Sequence, residues 1–131
     1  MGYIKLNGRS FDADVAISKY NRNFNVLDGD NAGRAMTGRM IRDIIGTYLG
    51  HKITVFRRGN NYAGLDEFWD YLYQHSVDDS VLLEAADGQT SISYEAYYTS
   101  ATQDLEKVEN GANYWGEIEV NFIPMEARVR P

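Results

Sequence analysis

Leu65-Asp66-Glu67-Phe68-Trp69-Asp70-Tyr71-Leu72-Tyr73-Gln74 is the stretch on which the reading of the fold turns. Leu65, Phe68, Trp69 and Leu72 follow the i, i+3, i+4, i+7 spacing of one buried helical face, the clearest such period in the chain. Asp66 and Glu67 are expected in its first turn, where acidic groups favour the positive end of the helix dipole, and His75 lies near the other end. What flanks the helix is of a different kind.

Upstream, Met40 to Leu49 and Ile53 to Phe56 are rich in Ile, Tyr, Val and Thr, with Gly46 and Gly50 where a bulge or turn is needed. Two strands are expected there, against a competing short helix over Met40 to Ile45. Residues 28–39 hold three glycines and little apolar weight, and read as a loop or long excursion between strands. The chain opens as a hairpin: Tyr3 to Leu6, then Phe11, Ala13, Val15 and Ile17, alternate with polar residues around Asn7-Gly8, a dipeptide suited to tight turns. The alternation fades near Tyr20, and Phe24 and Val26 resume it. Downstream, Val81 to Ala86, a turn at Asp87-Gly88 and Ser91 to Tyr98 form a second hairpin, with Ile92, Tyr94, Ala96 and Tyr98 on one face. Thr99 to Asn113 is polar and reads as a long hairpin tip. The last strand, Tyr114 to Ile123, puts Ile118, Val120 and Phe122 on one side and Glu117, Glu119 and Asn121 on the other. Strands, one helix, then strands define an α+β fold: an antiparallel β-sandwich or barrel packed with a single α-helix at about residues 65–75.

Nothing divides the chain. It holds two prolines, no Ser/Gly-rich linker and no internal repeat, so residues 1–131 are expected to form a single domain with one core. The absence of cysteine excludes disulfides, thiolate metal sites and cysteine nucleophiles together, and suits a reducing cytoplasm. Lys5 breaks the apolar character of the N-terminus too early for a signal peptide, and no apolar run approaches the roughly 20 residues of a membrane span. A soluble, unprocessed chain with no membrane partner is expected. The net charge of −6 argues against a nucleic-acid backbone as the main partner. That mean conceals an asymmetry: residues 1–63 carry ten Lys/Arg and five Asp/Glu, while residues 64–131 carry three and fourteen. Separated in space, +5 and −11 would favour head-to-tail association; interleaved in one sheet, they would pair within a subunit.

Catalytic and cofactor templates fail at the positions that carry their chemistry. Gly33 to Gly38 has the glycine spacing of a phosphate-binding loop, but Arg39-Met40 stands where Lys and Ser/Thr are required. Asp28-Gly29-Asp30-Asn31 matches the start of an EF-hand, yet Ala32 and Arg39 occupy the fifth and twelfth positions, so two ligands are missing. His51 and His75 have no histidine or cysteine at ligand spacing. Asp78-Asp79 could do acid–base work, but among so many acids they read as solvated surface. No catalytic residue, metal site or cofactor is expected. An enzyme would need a pocket joining His51 or His75 to carboxylates.

Ten tyrosines and two tryptophans point instead to contact surfaces. Tyrosine offers large area with a hydroxyl that tolerates a wet rim. Successive strand residues face opposite ways, so one member each of Tyr97-Tyr98 and Tyr114-Trp115 is a candidate interface residue. Arg34, Arg39 and Arg42 share one glycine-rich segment and could reach the acidic half of a neighbour, or remain intramolecular or solvated.

The layout resembles structural proteins of phage tails, in particular the distal tail protein of long-tailed phages and the related tail-tube fold. The resemblance rests on Ile4-Lys5-Leu6-Asn7-Gly8, Asn31-Ala32-Gly33-Arg34 with Gly38-Arg39, the Trp69-bearing helix, and the terminal Trp115-Gly116-Glu117-Ile118-Glu119-Val120-Asn121-Phe122 strand. It spans nearly the whole chain in order and texture, with no diagnostic motif. It implies a β-sandwich or barrel with one helix, forming a homo-oligomeric ring, commonly a hexamer, around the tail channel. The partners implied are other copies and other tail proteins, in a virion tail assembled in the bacterial host cytoplasm. At this length the chain would match only the N-terminal, ring-forming domain. On that reading Arg34, Arg39, Arg42, Tyr97, Tyr114 and Trp115 are the interface candidates, and sheet edges pair across subunits. The alternative is a monomeric β-sandwich binding module holding a carbohydrate or small ligand in a concave patch built from residues such as Tyr97, Tyr114 and Trp115.

Overall fold

The computed structural model describes residues 4–29, 32–34 and 36–131. Ten strands and one helix follow in the order β1 (Ile4–Leu6), β2 (Arg9–Ser10), β3 (Val15–Asp28), β4 (Gly33–Arg34), β5 (Met40–Ile41), β6 (Ile44–Arg57), α1 (Tyr62–Gln74), β7 (Val81–Asp87), β8 (Thr90–Tyr97), β9 (Ala101–Glu109) and β10 (Ala112–Pro124). All pairings are antiparallel. One layer runs β2-β1-β7-β8, and the other places β10 between β9 and β6 with β3 beyond β6. They join at a corner where Ile123 and Pro124 of β10 pair with Tyr97 and Ala96 of β8. β4 and β5 form a separate two-stranded piece. The expected α+β sandwich with one helix is what the chain forms.

The core lies between the layers. Ile4, Leu6, Val81, Leu83, Ala85 and Ala96 enter it from the first, and Val15, Ile53, Val55, Ile118, Val120 and Phe122 from the second. Leu65, Phe68 and Leu72 of α1 close its side, with Phe11 edge-on to Phe68 at 5.1 Å and to Tyr71 at 5.3 Å. The alternate residues of β10, Glu117, Glu119 and Asn121, are exposed, as a strand with one wet face requires. Two Asn-Gly pairs make its tight turns. Asn7 and Gly8 (φ 52° and 86°) join β1 to β2, and Asn110 and Gly111 (φ 53° and 77°) join β9 to β10. Positive φ at both central residues gives the strands their matching twist. Asn7 also clamps β7, its backbone N–H donating to Leu82 O and its Oδ1 accepting from Leu82 N–H, each at 2.8 Å.

Several expectations need correcting. The helix starts at Tyr62, because the Asn61 side chain accepts from Gly64 N–H at 2.9 Å and caps it there. Asp66 and Glu67 therefore fall beyond the first turn, which holds no acid. The two strands expected within 40–56 are one 14-residue strand, β6, preceded by the short β5, and the competing helix over Met40 to Ile45 does not form. Gly46 and Gly50 admit close neighbours rather than turns: an added Cβ would meet Ala127 Cβ at 2.6 Å or Phe122 O at 3.1 Å. Residues 101–109 of the polar tip are a full strand, β9, whose exposure removes the apolar alternation. Phe11 is buried but lies with Ala13 in the connection between β2 and β3. Tyr3 falls outside the described residues, as do Asp30 and Asn31 of the partial EF-hand match.

Gly64 tests the packing of the helix start. Helix propensity alone favours Ala over Gly by about 1 kcal/mol. The new Cβ, however, would lie 2.5 Å from Asp14 O and 2.6 Å from Asn61 Nδ2, contacts that backbone and cap cannot easily yield. Overpacking typically costs about 1–3 kcal/mol, so Gly64→Ala is expected to lower the urea midpoint; an unchanged or raised midpoint would contradict this packing.

Candidate functional site

Three features outside the core could act on a partner: a hairpin arm, two open sheet edges, and small surface depressions. The arm forms because β3 and β6 go on pairing after the rest of the sheet has stopped. β10 follows β6 only as far as Phe122 opposite His51, whereas β3 and β6 continue from Arg22 opposite His51 to Asp28 opposite Ile44. Without a layer above them, Phe24, Val26, Leu27, Ile44 and Ile45 are exposed, and so are Met36, Met40 and Ile41 at the tip. The C-terminal segment braces one side, with Thr47 N–H donating to Val129 O at 2.8 Å and Arg128 N–H to Thr47 O at 2.7 Å.

The arm is held at its root by polar groups that cross between the layers. His51 is fully buried on β6. Its Nε2 faces Ala86 O of β7 at 3.1 Å, and because a carbonyl only accepts, Nε2 carries the proton. Nδ1 therefore accepts from the Tyr94 hydroxyl of β8 at 2.6 Å. Tyr20 of β3 accepts from Ala86 N–H at 2.9 Å, and Arg22 donates to Asp87 at 2.7 Å. Burial pushes the Tyr20 hydroxyl up to about 12 despite its bond to Ala86, and raises Tyr94 further. Burial also lowers the His51 pKa, outweighing the opposing effects of the Ala86 bond and Asp87 and aided by Arg22.

The three candidate arginines cluster on the arm. Arg34 donates to Gly38 O at 3.1 Å, Arg39 is exposed, and Arg42 Nε donates to Asp28 Oδ1 at 2.8 Å. Arg42 thus takes the intramolecular option, and Asp28, first residue of the partial EF-hand match, is its partner. The aromatic candidates lie elsewhere. Tyr97 is exposed while Tyr98 turns inward, stacking edge-on to Phe122 at 5.7 Å and donating to Leu72 O at 2.7 Å. Tyr114 and Trp115 are both half-buried, with a register shift between them. Tyr114 packs on Tyr62 at 5.0 Å, and Lys107 lies 5.0 Å from its ring centre. Tyr97 pairs opposite Ile123, nine residues along β10 from Tyr114, or about 30 Å at the rise of an extended strand. Tyr97, Tyr114 and Trp115 do not meet in one concave patch.

Pairing through sheet edges was expected, but which strands form the edges and where the depressions lie was not. Among the described residues β9 pairs only with β10 and β3 only with β6, leaving one open side on each. A depression of about 170 Å³ lies between the end of α1 and the β8–β9 link, lined by Trp69, Leu72, Tyr73, Tyr98 and Ala101 among others. His75 shares a shallow polar depression with Arg9, Glu67 and Asp70, the joining of histidine and carboxylates that an enzyme needs. There, however, Glu67 is tied to Arg9 at 2.8 Å, and His75 is stacked on Tyr71 and donates to Asp78 at 2.7 Å. Among the described residues the geometry offers contact area and open hydrogen-bonding edges.

The fold and its surfaces define a class: a two-layer antiparallel sandwich with one helix and a projecting hairpin. No protein-family model matches the chain, and no curated protein does. Among solved structures it is similar to Dit (gp 19.1) of phage SPP1, a distal tail protein described as a paradigm of the hub adsorption apparatus in phages that infect Gram-positive bacteria. The TM-score is 0.51 at 13% identity, over 95% of this chain and 49% of that one. The chain spans about half the length of that protein, and the likeness is one of fold.

The buried histidine makes stability depend on pH. With the folded pKa lowered below the ordinary 6.5, the unfolded chain takes up the proton first. The contribution is therefore complete above about pH 6.5 and is lost as pH falls through the folded-state value. Urea midpoints at pH 7.5 and 5.5 should fall with pH, and His51→Gln should flatten the difference. Tyr94→Phe, which leaves Nδ1 without its donor, should cost about 1–3 kcal/mol at neutral pH.

Proposed function

We propose that this chain is a non-enzymatic structural protein of a phage tail, equivalent to the N-terminal, ring-forming part of a distal tail protein. Copies join head to tail into a closed ring around the tail channel, six being the number the resemblance implies, and the ring binds other tail proteins. Its place is the virion tail, assembled in the host cytoplasm. The observation that carries this reading is the pair of open edges, β3 and β9, at opposite sides of one sheet. A sheet with two different free edges can add the β3 edge of one copy to the β9 edge of the next, and rotation between copies closes the ring.

Charge supports the same polarity. β9 carries Asp104, Glu106 and Glu109 against Lys107, while β3 carries Lys19 and Arg22 against Asp28. The outer face of this sheet is polar, with Lys19, Asn21, Lys52, Thr54 and Glu119 lining a shallow depression and Lys52 paired to Glu119 at 3.1 Å. Such a face suits a water-filled channel. The fold likeness to Dit, a protein described as a hub adsorption apparatus, supports this reading.

Sedimentation velocity across concentration at low and high salt tests the assembly. The expected result is a discrete oligomer at low salt whose population falls as salt screens the edge charges. A strict monomer at high concentration and low salt would overturn the reading.

A further inference from the structure

On β3 every second residue from Asn21 to Asn25 is an asparagine. A strand turns such residues to one face, and the register carries that face across the sheet. Asn23 lies opposite Gly50 and Asn25 opposite Tyr48 on β6, while Asn21 and Asn121 of β10 flank Lys52. Where β10 passes from β6 to β8, Tyr97 joins the same face opposite Ile123. The C-terminal segment crosses this face at Gly46, where an added Cβ would meet Ala127 Cβ at 2.6 Å and Val129 O at 2.8 Å, and so forms a wall. The result is a depression of about 510 Å³ at the root of the arm, within the range of about 300–1,000 Å³ usual for small-ligand sites. Gly50 keeps its floor open, since a Cβ there would stand 3.1 Å from Phe122 O and 3.4 Å from Asn23 Oδ1.

Of the whole chain 24% is charged, yet none of the twelve residues lining this depression is, so an anionic or cationic ligand would enter without a counter-charge. Its polar groups are amides and phenols that the protein leaves largely unused. Among the described residues the side chains of Asn25, Asn121, Tyr48 and Tyr97 make no hydrogen bond, and Asn23 makes only the one it donates to Asn21 at 3.2 Å. An apolar ligand would leave these groups unmatched. A primary amide presents donors and an acceptor together, as a hydroxyl group requires, and tyrosine joins an apolar ring to a polar tip. We propose that the depression binds a neutral saccharide, Tyr48 and Tyr97 taking the C–H surface of a sugar ring while Asn23, Asn25 and Asn121 bond its hydroxyls. Tyr97 thus acts with Tyr48 and the asparagines, in place of Tyr114 and Trp115. The inference goes beyond the ring reading and does not rest on it, because joining along sheet edges leaves this face open.

The labelled full chain, applied to an array of neutral and acidic oligosaccharides, is expected to bind one or more neutral members. Tyr97→Ala should weaken that binding about tenfold and Asn25→Ala about three- to tenfold, the scales of an aromatic contact and of a neutral hydrogen bond. Both residues are exposed, and both variants should keep the circular dichroism of the parent. Tyr73→Ala, exposed on α1 and lining the other aromatic depression, should bind as the parent does. Binding to no neutral saccharide, or to acidic ones alone, would overturn the proposal. So would binding that Tyr73→Ala abolishes and Tyr97→Ala leaves intact. Sedimentation of the same preparations reads the ring separately: a chain that binds saccharide as a strict monomer overturns the ring and leaves this site standing.

Discussion

The rest of the structure depends on β10 having neighbours on both sides. From Ile118 to Val120 it is paired with β6 on one side and β9 on the other, and at Ile123 its partner becomes β8. Its inward residues Ile118, Val120 and Phe122 then form the floor on which α1 and the first layer close. Register is fixed strongly here, since a slip of one residue would turn those three to water and bring Glu117, Glu119 and Asn121 into the core. Pro124 has no N–H to continue the ladder, and Met125 N–H goes instead to Glu95 O at 3.0 Å. The corner that joins the layers therefore lies where β10 runs out of its regular partners.

A second tie lies where the apolar core ends and the arm begins. There the layers are joined by polar side chains, all converging on Ala86 and Asp87 of β7: His51 and Tyr20 on the two backbone groups of Ala86, and Arg22 on the Asp87 carboxylate. The exposed Arg22 pair contributes little in water, on the order of 0–1 kcal/mol. The buried histidine and tyrosines matter more, because each donor or acceptor there would be costly to leave unmatched. Their directional bonds fix the angle at which β3 and β6 leave the body, which apolar packing alone would specify less sharply.

The sequence was most legible where a segment has one dry and one wet face. α1 and β10 show clean periods of 3.6 and 2 for that reason, and together they were enough for the α+β sandwich. It was least legible where both faces are wet. The 14 residues of β3 lose their alternation after Tyr20, and β9 hardly shows it, because no core selects one face. The Asn110-Gly111 turn repeats the signal of Asn7-Gly8 and could have revealed β9. The helix start was misplaced for a local reason: Asn61 precedes three residues, Tyr62, Ala63 and Gly64, that add little to the apolar stripe. Of the site, the arginine cluster was visible as composition, but nothing in the spacing of His51, Tyr20 and Tyr94 shows that they meet. Partners 31 to 74 positions apart are brought together by topology alone.

The arm is also the part of the molecule least able to stand by itself. A two-stranded hairpin in water is marginal at best, and this one carries Phe24, Val26, Leu27, Ile44 and Ile45 without a layer to cover them. Exposed apolar strand surface of this kind also favours indiscriminate association. The chain answers with a braced root, a C-terminal segment bonded along one side, and Arg34, Arg39 and Arg42 at the far end, where like charges discourage two tips from meeting.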